Sequence, residues 1–241
     1  NLYYLPANEN NLVYKAANLL FEEFDIPGGL SIDLKKYIPV AAGMAGGSSD
    51  AAAVLYGLNR MYGLGLSQEQ LMERGVKIGA DVPYCIMRGT ALAEGIGERL
   101  TPLPPMPPCN ILVAKPGISV STKYVYENLH ANDVRPEQHP DIDGILDAQK
   151  KQDLRGMAEA LRDGNVLETV TANAYPVIGK LKETMEENGA AVALMSGSGP
   201  TVFGIYEDRM QARRAMAAIR KSRLAKQLFL TTPYNNNRRN G

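Results

Sequence analysis

A glycine-rich stretch at residues 39–50 constrains the fold of this chain more than any other feature. It reads Pro-Val-Ala-Ala-Gly-Met-Ala-Gly-Gly-Ser-Ser-Asp and runs directly into residues 51–55, which are strong helix formers. A glycine-rich turn that opens a helix presents bare N–H groups at the positive end of the helix dipole. Glycine is needed because side chains would hold the backbone away from an anion, and because such turns often use positive φ. The stretch predicts a phosphate-binding loop in which Ser48 and Ser49 cap the helix, contact phosphate oxygens or reach a metal ion.

The stretch does not match the two best-known phosphate loops. The Walker pattern ends in Gly-Lys-Ser/Thr, and no lysine occurs between Pro39 and Asp50. The dinucleotide fingerprint Gly-x-Gly-x-x-Gly is not matched by Gly43, Gly46 and Gly47, and no βαβ pattern surrounds them. On these residues alone, a flexible loop followed by an ordinary serine N-cap stays open as the alternative.

Charge and cysteine content argue against several classes of protein. Lys plus Arg and Asp plus Glu number 26 each, so no global field favours nucleic acid or an anionic membrane. Two cysteines, Cys85 and Cys109, are too few for a disulfide scaffold, and His130 and His139 are too few for histidine-based metal or triad chemistry. No apolar run is long enough to cross a membrane. At 241 residues, the chain is expected to form one large or two small domains in a reducing, intracellular compartment.

Hydrophobic spacing and capping residues predict a mainly helical first half. Apolar residues at helical spacing predict helices over residues 11–24 and about 48–61. The capping box Ser67-Gln68-Glu69-Gln70 opens a third helix that ends near Gly79, and Pro83 suits the first turn of a fourth. Short strands are predicted at residues 30–34, 90–93 and 99–103.

The second half is predicted to be an α+β domain. The proline cluster at residues 102–108 cannot lie inside a helix or a central strand, and it is the expected connection between the halves. Predicted strands occupy residues 111–114, 191–195, 201–206 and 227–230. Predicted helices occupy residues 122–129, several segments within 141–187, and 209–221. The Asn/Arg-rich tail after Pro233 is predicted to be disordered.

Three features outside the loop are candidates for chemistry, each with a plain structural alternative. Asp81 lies just before a proline-led turn, where it can accept a proton from a substrate hydroxyl or simply cap the next helix. The glycine-rich turn at residues 196–201 either faces an anionic ligand or is a tight connection between two strands. Tyr124 and Tyr126 either stack on a nucleobase or are half-buried packing residues.

Taken together, these segments resemble the GHMP kinase superfamily, named for galactokinase, homoserine kinase, mevalonate kinase and phosphomevalonate kinase. The central Pro-x-x-x-Gly-x-Gly/Ala-Gly-Ser-Ser loop of that family is similar to residues 39–49, and its third, glycine-rich motif is similar to residues 196–201. The similarity covers nearly the whole chain. It is greatest to members whose substrate is a methylerythritol linked to cytidine diphosphate, on residues 11–17, 46–52, 79–83, 89–91, 95–98 and 194–203.

The resemblance implies an α+β, two-domain GHMP kinase fold. Residues 1–108 would form the ATP-binding domain, similar to ribosomal protein S5 domain 2, and residues 109–233 a ferredoxin-like domain, with a tail at 234–241. It also implies a kinase that uses ATP and Mg²⁺ to phosphorylate the 2-hydroxyl of the cytidine diphosphate-linked methylerythritol in isoprenoid precursor synthesis. The expected protein is a monomer or weak homodimer of the bacterial cytoplasm, or of a plastid, with no nucleic-acid or membrane partner.

The resemblance further implies roles for individual residues. Asp81 is the expected catalytic residue that activates the substrate hydroxyl, and no side chain is assigned to the metal. Tyr126 is expected against the cytosine and Thr122 near the same pocket, while Gly197, Ser198 and Gly199 also contact the substrate. The residues expected to wrap the ATP phosphates are Pro39, Val40, Ala41, Ala42, Gly43, Met44, Ala45, Gly46, Gly47, Ser48 and Ser49.

The sequence departs from the family pattern at its start. The family opens with a Pro-x-Lys-x-Asn strand, whose lysine pairs with the catalytic aspartate, and continues with an Asp-Gly-Tyr-His segment that helps to hold the cytidine. Neither occurs here, and the chain begins Asn-Leu-Tyr-Tyr without an initiator methionine. The expectation is an N-terminally incomplete first domain that lacks one catalytic group by itself. Two alternatives stay open, a GHMP kinase for another small alcohol and a non-catalytic nucleotide-binding paralogue.

Overall fold

The computed structural model describes residues 5–130, 139–162 and 164–234. These residues form two compact units. The first unit contains residues up to 40 and residues 45–103, and the second contains residues 41–44 together with those from 104 onward. None of the described helices is both long enough and apolar enough to span a membrane.

The described residues of the first unit form four helices and one hairpin. The helices are α1 (Leu12–Glu23), α2 (Gly46–Met61), α3 (Gln68–Val76) and α4 (Val82–Met87), followed by β1 (Ala91–Glu94) and β2 (Arg99–Pro102), which pair antiparallel. The capping box at Ser67 is confirmed, since its side chain accepts from the Gln70 N–H and the Gln70 side chain returns a bond to the Ser67 backbone. Pro83 lies in the first turn of α4, as predicted. The fully buried Ala16, Leu20 and Leu55 form the centre of the core between α1 and α2.

The strand predicted at residues 30–34 is wrong. These residues have no regular secondary structure, and the described strands of this unit pair only with each other. Leu30, Ile32 and Leu34 instead line a cavity of about 610 Å³ beside α1. The alternation of apolar residues correctly identified side chains that share one face, but a strand also needs a neighbouring backbone at hydrogen-bonding distance.

The second unit is built on a four-stranded antiparallel sheet in the order β4-β5-β3-β6. Its strands are β3 (Asn110–Lys115), β4 (Val192–Met195), β5 (Val202–Tyr206) and β6 (Gln227–Thr231). Its helices are α5 (Thr122–Asn128), α6 (Ile142–Lys150), α7 (Leu154–Ala160), α8 (Glu168–Ala174), α9 (Val177–Glu187) and α10 (Arg209–Ser222). Every strand predicted for this half is present within two residues of its expected bounds. The predicted tail lies outside the described residues, except for its first residue, Tyr234.

Both faces of this sheet are covered. Leu112 and Ala193 point toward a core that includes residues of α9 and α10. Val192 and Leu194 point the other way, toward a smaller cluster with residues of α6 and α7. Because successive side chains of a strand alternate between faces, burial on both sides makes a strand such as β4 apolar throughout.

Candidate functional site

The phosphate-loop motif enters α2 earlier than the sequence predicted. The helix begins at Gly46, so Ser48 and Ser49 lie inside its first turn and the predicted serine N-cap is wrong. Ala45 is the N-cap, in the left-handed region at φ 47° and ψ 29°, and it makes no side-chain capping bond. The first N–H groups of a helix have no acceptor within the helix, and here no side chain at the N-cap replaces one. This leaves an arrangement that favours an anionic ligand.

Three alternate residues of the loop have a left-handed backbone conformation. Ala41 has φ 50°, Gly43 has φ 66° and Ala45 has φ 47°. Left-handed conformation costs a non-glycine residue about 1–3 kcal/mol, and such strain is concentrated at functional sites. Alternation of left-handed residues with ordinary ones also turns successive N–H groups into a concave, anion-binding nest. The two alanines thus support the assignment of this loop to phosphate binding independently of the sequence motif.

The three glycines of the loop differ in what a side chain would meet. At Gly43, a Cβ atom would lie 2.2 Å from the carbonyl oxygen of Ser196, so close backbone approach excludes any side chain. At Gly46, a Cβ atom would lie 2.8 Å from Cγ2 of Ile38, which makes this glycine a packing requirement of the first unit. At Gly47 a Cβ atom would only make an ordinary contact, 3.4 Å from Cδ1 of Leu12. At Gly46, internal packing is therefore a reason for glycine in addition to the predicted room for an anion.

A buried ion pair lies beneath the start of α2. The Lys36 ammonium group bonds the Asp50 carboxylate, and their side chains are only 5% and 22% exposed. An uncompensated carboxylate one turn from a phosphate site would repel the ligand, and the lysine charge offsets it. Sequence reasoning missed this pair, because fourteen residues separate its members and no local pattern connects them.

Asp81 occupies the N-cap position of α4 but does not cap that helix with its side chain. The residue is exposed, and the helix directly after it is anchored by buried Val82 and Pro83. The pKa of the nearby Cys85 thiol is raised to about 11, mainly by burial and also by the negative charges of Asp81 and Asp50. The absence of a capping bond weakens the structural alternative and leaves the Asp81 carboxylate available for chemistry.

The second glycine-rich turn brings several predicted residues together within the second unit. The Ser196 hydroxyl donates a 2.7 Å hydrogen bond to the carbonyl oxygen of Gly43, which belongs to the same unit. The hydroxyl groups of Thr122 and Ser198 lie 2.9 Å apart. Tyr126, one turn after Thr122 on α5, is 61% exposed. Thr122 and Ser198 are thus direct neighbours, and the Tyr126 side chain is exposed.

Comparison with known proteins identifies the family. The sequence pattern of the GHMP kinases N terminal domain matches residues 11–89, and that of the GHMP kinases C terminal domain matches residues 145–225. The chain belongs to the GHMP kinase family. The predicted α+β GHMP kinase fold is confirmed, and membership makes the chain an ATP-dependent small-molecule kinase.

Two curated relatives of this GHMP kinase and one solved structure carry the name of the same enzyme. The chain is 55% identical to the 4-diphosphocytidyl-2-C-methyl-D-erythritol kinase of Lachnospira eligens over 97% of its own length and 80% of that protein. It is 46% identical to the enzyme of the same name from Clostridium perfringens over 98% of its length and 81% of that protein. A crystal structure of 4-(cytidine 5'-diphospho)-2C-methyl-D-erythritol kinase covers 95% of the chain and 80% of its own, with a TM-score of 0.75 and 35% identity. A homoserine kinase from Cytophaga hutchinsonii, at 19% identity and a TM-score of 0.81, shares the fold.

Proposed function

We propose that this GHMP kinase transfers the γ-phosphoryl group of ATP to the 2-hydroxyl of 4-diphosphocytidyl-2-C-methyl-D-erythritol, a step of the non-mevalonate route to isoprenoid precursors. The observation that carries this proposal is the 55% identity to an enzyme of that name over nearly the whole chain. Identity at this level supports the same acceptor rather than another small alcohol. It also supports a catalytic protein rather than a nucleotide-binding paralogue.

The phosphates of ATP are assigned to the loop at residues 39–49. Its left-handed backbone and the uncapped first turn of α2 supply N–H donors that need no movement to meet an anion. The Lys36–Asp50 pair keeps the local charge from opposing the ligand. Phosphoryl transfer needs mainly positioning and charge neutralisation, which such a loop provides.

Asp81 is assigned as the catalytic residue that orients or deprotonates the acceptor hydroxyl. Its exposed carboxylate forms no capping bond and lies just before the short α4, whose buried residues hold the backbone in place. Tyr126 is assigned to stack on the cytosine, since its ring is exposed on α5. Thr122 and Ser198, together with Gly197 and Gly199, are assigned to the substrate pocket.

The side chains near the loop fit a Mg²⁺ ion whose ligands would come mainly from the phosphates of ATP. No cluster of three or more His, Cys, Asp or Glu side chains that could hold a metal occurs among the residues that the structure describes. Mg²⁺ in kinases is typically held by substrate phosphates, water and one or two oxygen ligands of the protein. The Ser49 hydroxyl, partly exposed in the first turn of α2, is the oxygen that would serve here. The ion would neutralise charge that develops on the phosphoryl group.

The acceptor assignment is tested with the purified enzyme, ATP and a panel of alcohols. We expect 4-diphosphocytidyl-2-C-methyl-D-erythritol to be phosphorylated with a kcat/KM at least about 100-fold above that of homoserine, mevalonate or methylerythritol 4-phosphate. Product is identified by mass spectrometry, and the phosphorylated position by ³¹P–¹H NMR. Comparable turnover of another alcohol would overturn the acceptor assignment without touching the kinase assignment.

The loop assignment is tested with a pair of nearly isosteric substitutions at Ala41. This residue is exposed and left-handed, a conformation that both Asp and Asn tolerate. Ala41→Asp adds a negative charge to the loop and should weaken ATP binding by about 5- to 30-fold, as expected for one screened repulsion of about 1–2 kcal/mol. Ala41→Asn adds the same bulk without the charge, so its ATP affinity should be much closer to that of the parent enzyme. Equal affinities for the two variants in titration calorimetry would refute the loop as the phosphate site.

A further inference from the structure

The Ser196–Thr201 turn is held by side chains from a preceding segment of the second unit. The Asn165 amide nitrogen donates to two carbonyl oxygens, that of Met195 at 2.9 Å and that of Gly197 at 2.8 Å. The Asn165 amide oxygen accepts from the Leu167 N–H at 3.1 Å. The side chain is therefore fixed in one orientation, with both N–H groups of its amide directed at the turn.

Two further side chains bind the same turn from α8. The Glu168 carboxylate accepts from the Met195 N–H at 3.0 Å and forms a mostly buried ion pair with Lys182. The hydroxyl of Thr171, which is fully buried, lies 3.2 Å from the Ser198 carbonyl oxygen and 3.2 Å from that of Leu167, and it can donate to either. The turn is thus anchored on each side, and Asn165 is the residue that binds both sides of Ser196.

Ser196 connects this clamp to the phosphate loop. Its hydroxyl donates to the Gly43 carbonyl oxygen at 2.7 Å, at the middle one of the three left-handed loop positions. Because Asn165 binds the carbonyl groups of the residues before and after Ser196, it restrains the backbone from which that hydroxyl reaches Gly43. The path from Asn165 to the loop consists of two successive sets of hydrogen bonds, all within the second unit.

We propose that Asn165 is a positioning residue for nucleotide binding, which acts through Ser196 on the conformation of the phosphate loop. The inference rests on the proposed assignment of ATP to that loop. Loss of the clamp frees Ser196 to turn away from Gly43, and ATP must then bind a loop that is ordered for only part of the time. Asn165 itself needs no contact with the nucleotide.

The decisive variant is Asn165→Asp, which keeps the shape of the side chain but replaces its two donors with an acceptor. The carboxylate would face two carbonyl oxygens, so both bonds are lost and the contacts become repulsive. We expect the KM for ATP to rise at least about 10-fold, with kcat at saturating ATP changed less than about threefold. Asn173→Asp is the matched control, since Asn173 also lies in this region, on α8, but bonds only the Thr169 carbonyl of its own helix. It should leave the KM for ATP unchanged.

Ser196→Ala provides a second variant that removes only one hydroxyl. It should raise the KM for ATP in the same direction, and the Asn165→Asp/Ser196→Ala double variant should be no worse than the stronger single variant, because both interrupt one path. Additive effects of the two substitutions would overturn the inference. An unchanged KM for ATP in Ser196→Ala would also overturn it, even if Asn165→Asp does not fold.

The Ala41 pair distinguishes failure of the positioning role from failure of the loop assignment. If Ala41→Asp weakens ATP binding and the Asn165 and Ser196 variants do not, only the positioning role is wrong. If Ala41→Asp also binds ATP normally, the loop assignment itself fails.

Discussion

A single methyl group added at Gly43 should weaken ATP binding strongly while leaving most of the fold intact. In Gly43→Ala the new Cβ atom would lie 2.2 Å from the Ser196 carbonyl oxygen and 3.2 Å from that of Gly199. Neither neighbour is a flexible side chain that can rotate away, since both atoms belong to the backbone. The loop must therefore leave its position on the Ser196–Thr201 turn.

The size of the effect follows from three contributions. Alanine at φ 66° carries a left-handed penalty of about 1–2 kcal/mol. Displacement of the loop also breaks the 2.7 Å hydrogen bond from Ser196 to Gly43, with a net value of about 0.5–1.5 kcal/mol. The steric overlap adds to these but is relieved by the movement itself. If ATP must restore the loop, the sum of about 1.5–3.5 kcal/mol corresponds to an affinity loss of about 12- to 370-fold.

The matched control adds the same methyl group at Gly57. This glycine lies inside α2, and beyond the adjacent residues and backbone of its own helix no atom lies within 4 Å of the position of a Cβ. Gly57→Ala should therefore stabilise the helix by about 0.5–1 kcal/mol. ATP affinity is measured by titration calorimetry and stability by thermal unfolding of the same preparations. For Gly57→Ala we expect a Tm raised by about 2–4 °C and an ATP affinity equal to that of the parent.

Two results would refute this reasoning. If Gly43→Ala binds ATP within threefold of the parent and keeps its Tm, the contact with Ser196 does not hold the loop in its binding conformation. If the Tm falls but ATP affinity is unchanged, the contact is structural and has no part in nucleotide binding.

Three further predictions concern single side chains. Asp81→Asn should lower kcat by at least about 10²- to 10⁴-fold while ATP affinity is retained. The Tm should also be retained, because the Asp81 side chain makes no capping bond. Near-normal kcat with a lowered Tm would instead show that Asp81 is a helix cap. Tyr126→Ala should raise the KM for the cytidine substrate by about 5- to 150-fold through loss of stacking, while Tyr124→Ala should not. An equal rise in the KM for ATP would instead indicate that Tyr126 is a packing residue. Cys85 should react with iodoacetamide at pH 8 more than about 100-fold more slowly than free cysteine, because its raised pKa of about 11 leaves little thiolate until the pH approaches that value. Labelling should accelerate in Asp81→Asn, which removes one of the charges that raise this pKa, and a rate equal to that of free cysteine would contradict the burial of the thiol.

Local signals predicted most of the helices and strands. The capping box at Ser67 and the apolar run at residues 111–114 depend on neighbours within a few residues, and both form as expected. The strand at 30–34 failed because alternation reports which side chains share a face and says nothing about a neighbouring backbone. The start of α2 was misplaced because a left-handed Ala45 begins the helix before the serines, and alanine carries no sequence signal for that conformation.

The candidate site was predictable to the extent that it follows from short motifs. The loop at residues 39–49, the turn at 196–201 and Asp81 all stand out in the sequence, and their roles in binding and catalysis remain predictions. The contacts that hold them were not predictable. The Lys36–Asp50 pair and the bonds from Asn165 to the turn join positions that are distant in sequence, and only the folded chain shows which polar groups meet.

The order of strands in the second unit has a consequence for synthesis of the chain. Its central strand β3 pairs on both sides with strands made much later, as Val113 lies opposite Phe203 in β5 and Phe229 in β6. At a translation rate of about 5–20 residues per second, the roughly ninety residues between β3 and β5 keep β3 without either neighbour for about 4–18 seconds. During that interval an apolar strand with two unpaired edges is exposed on the ribosome, whereas the helices of the first unit already have their partners. The last strand to emerge, β6, completes the sheet, so a ribosome that stalls before residue 227 would release a chain that is prone to aggregate through β3.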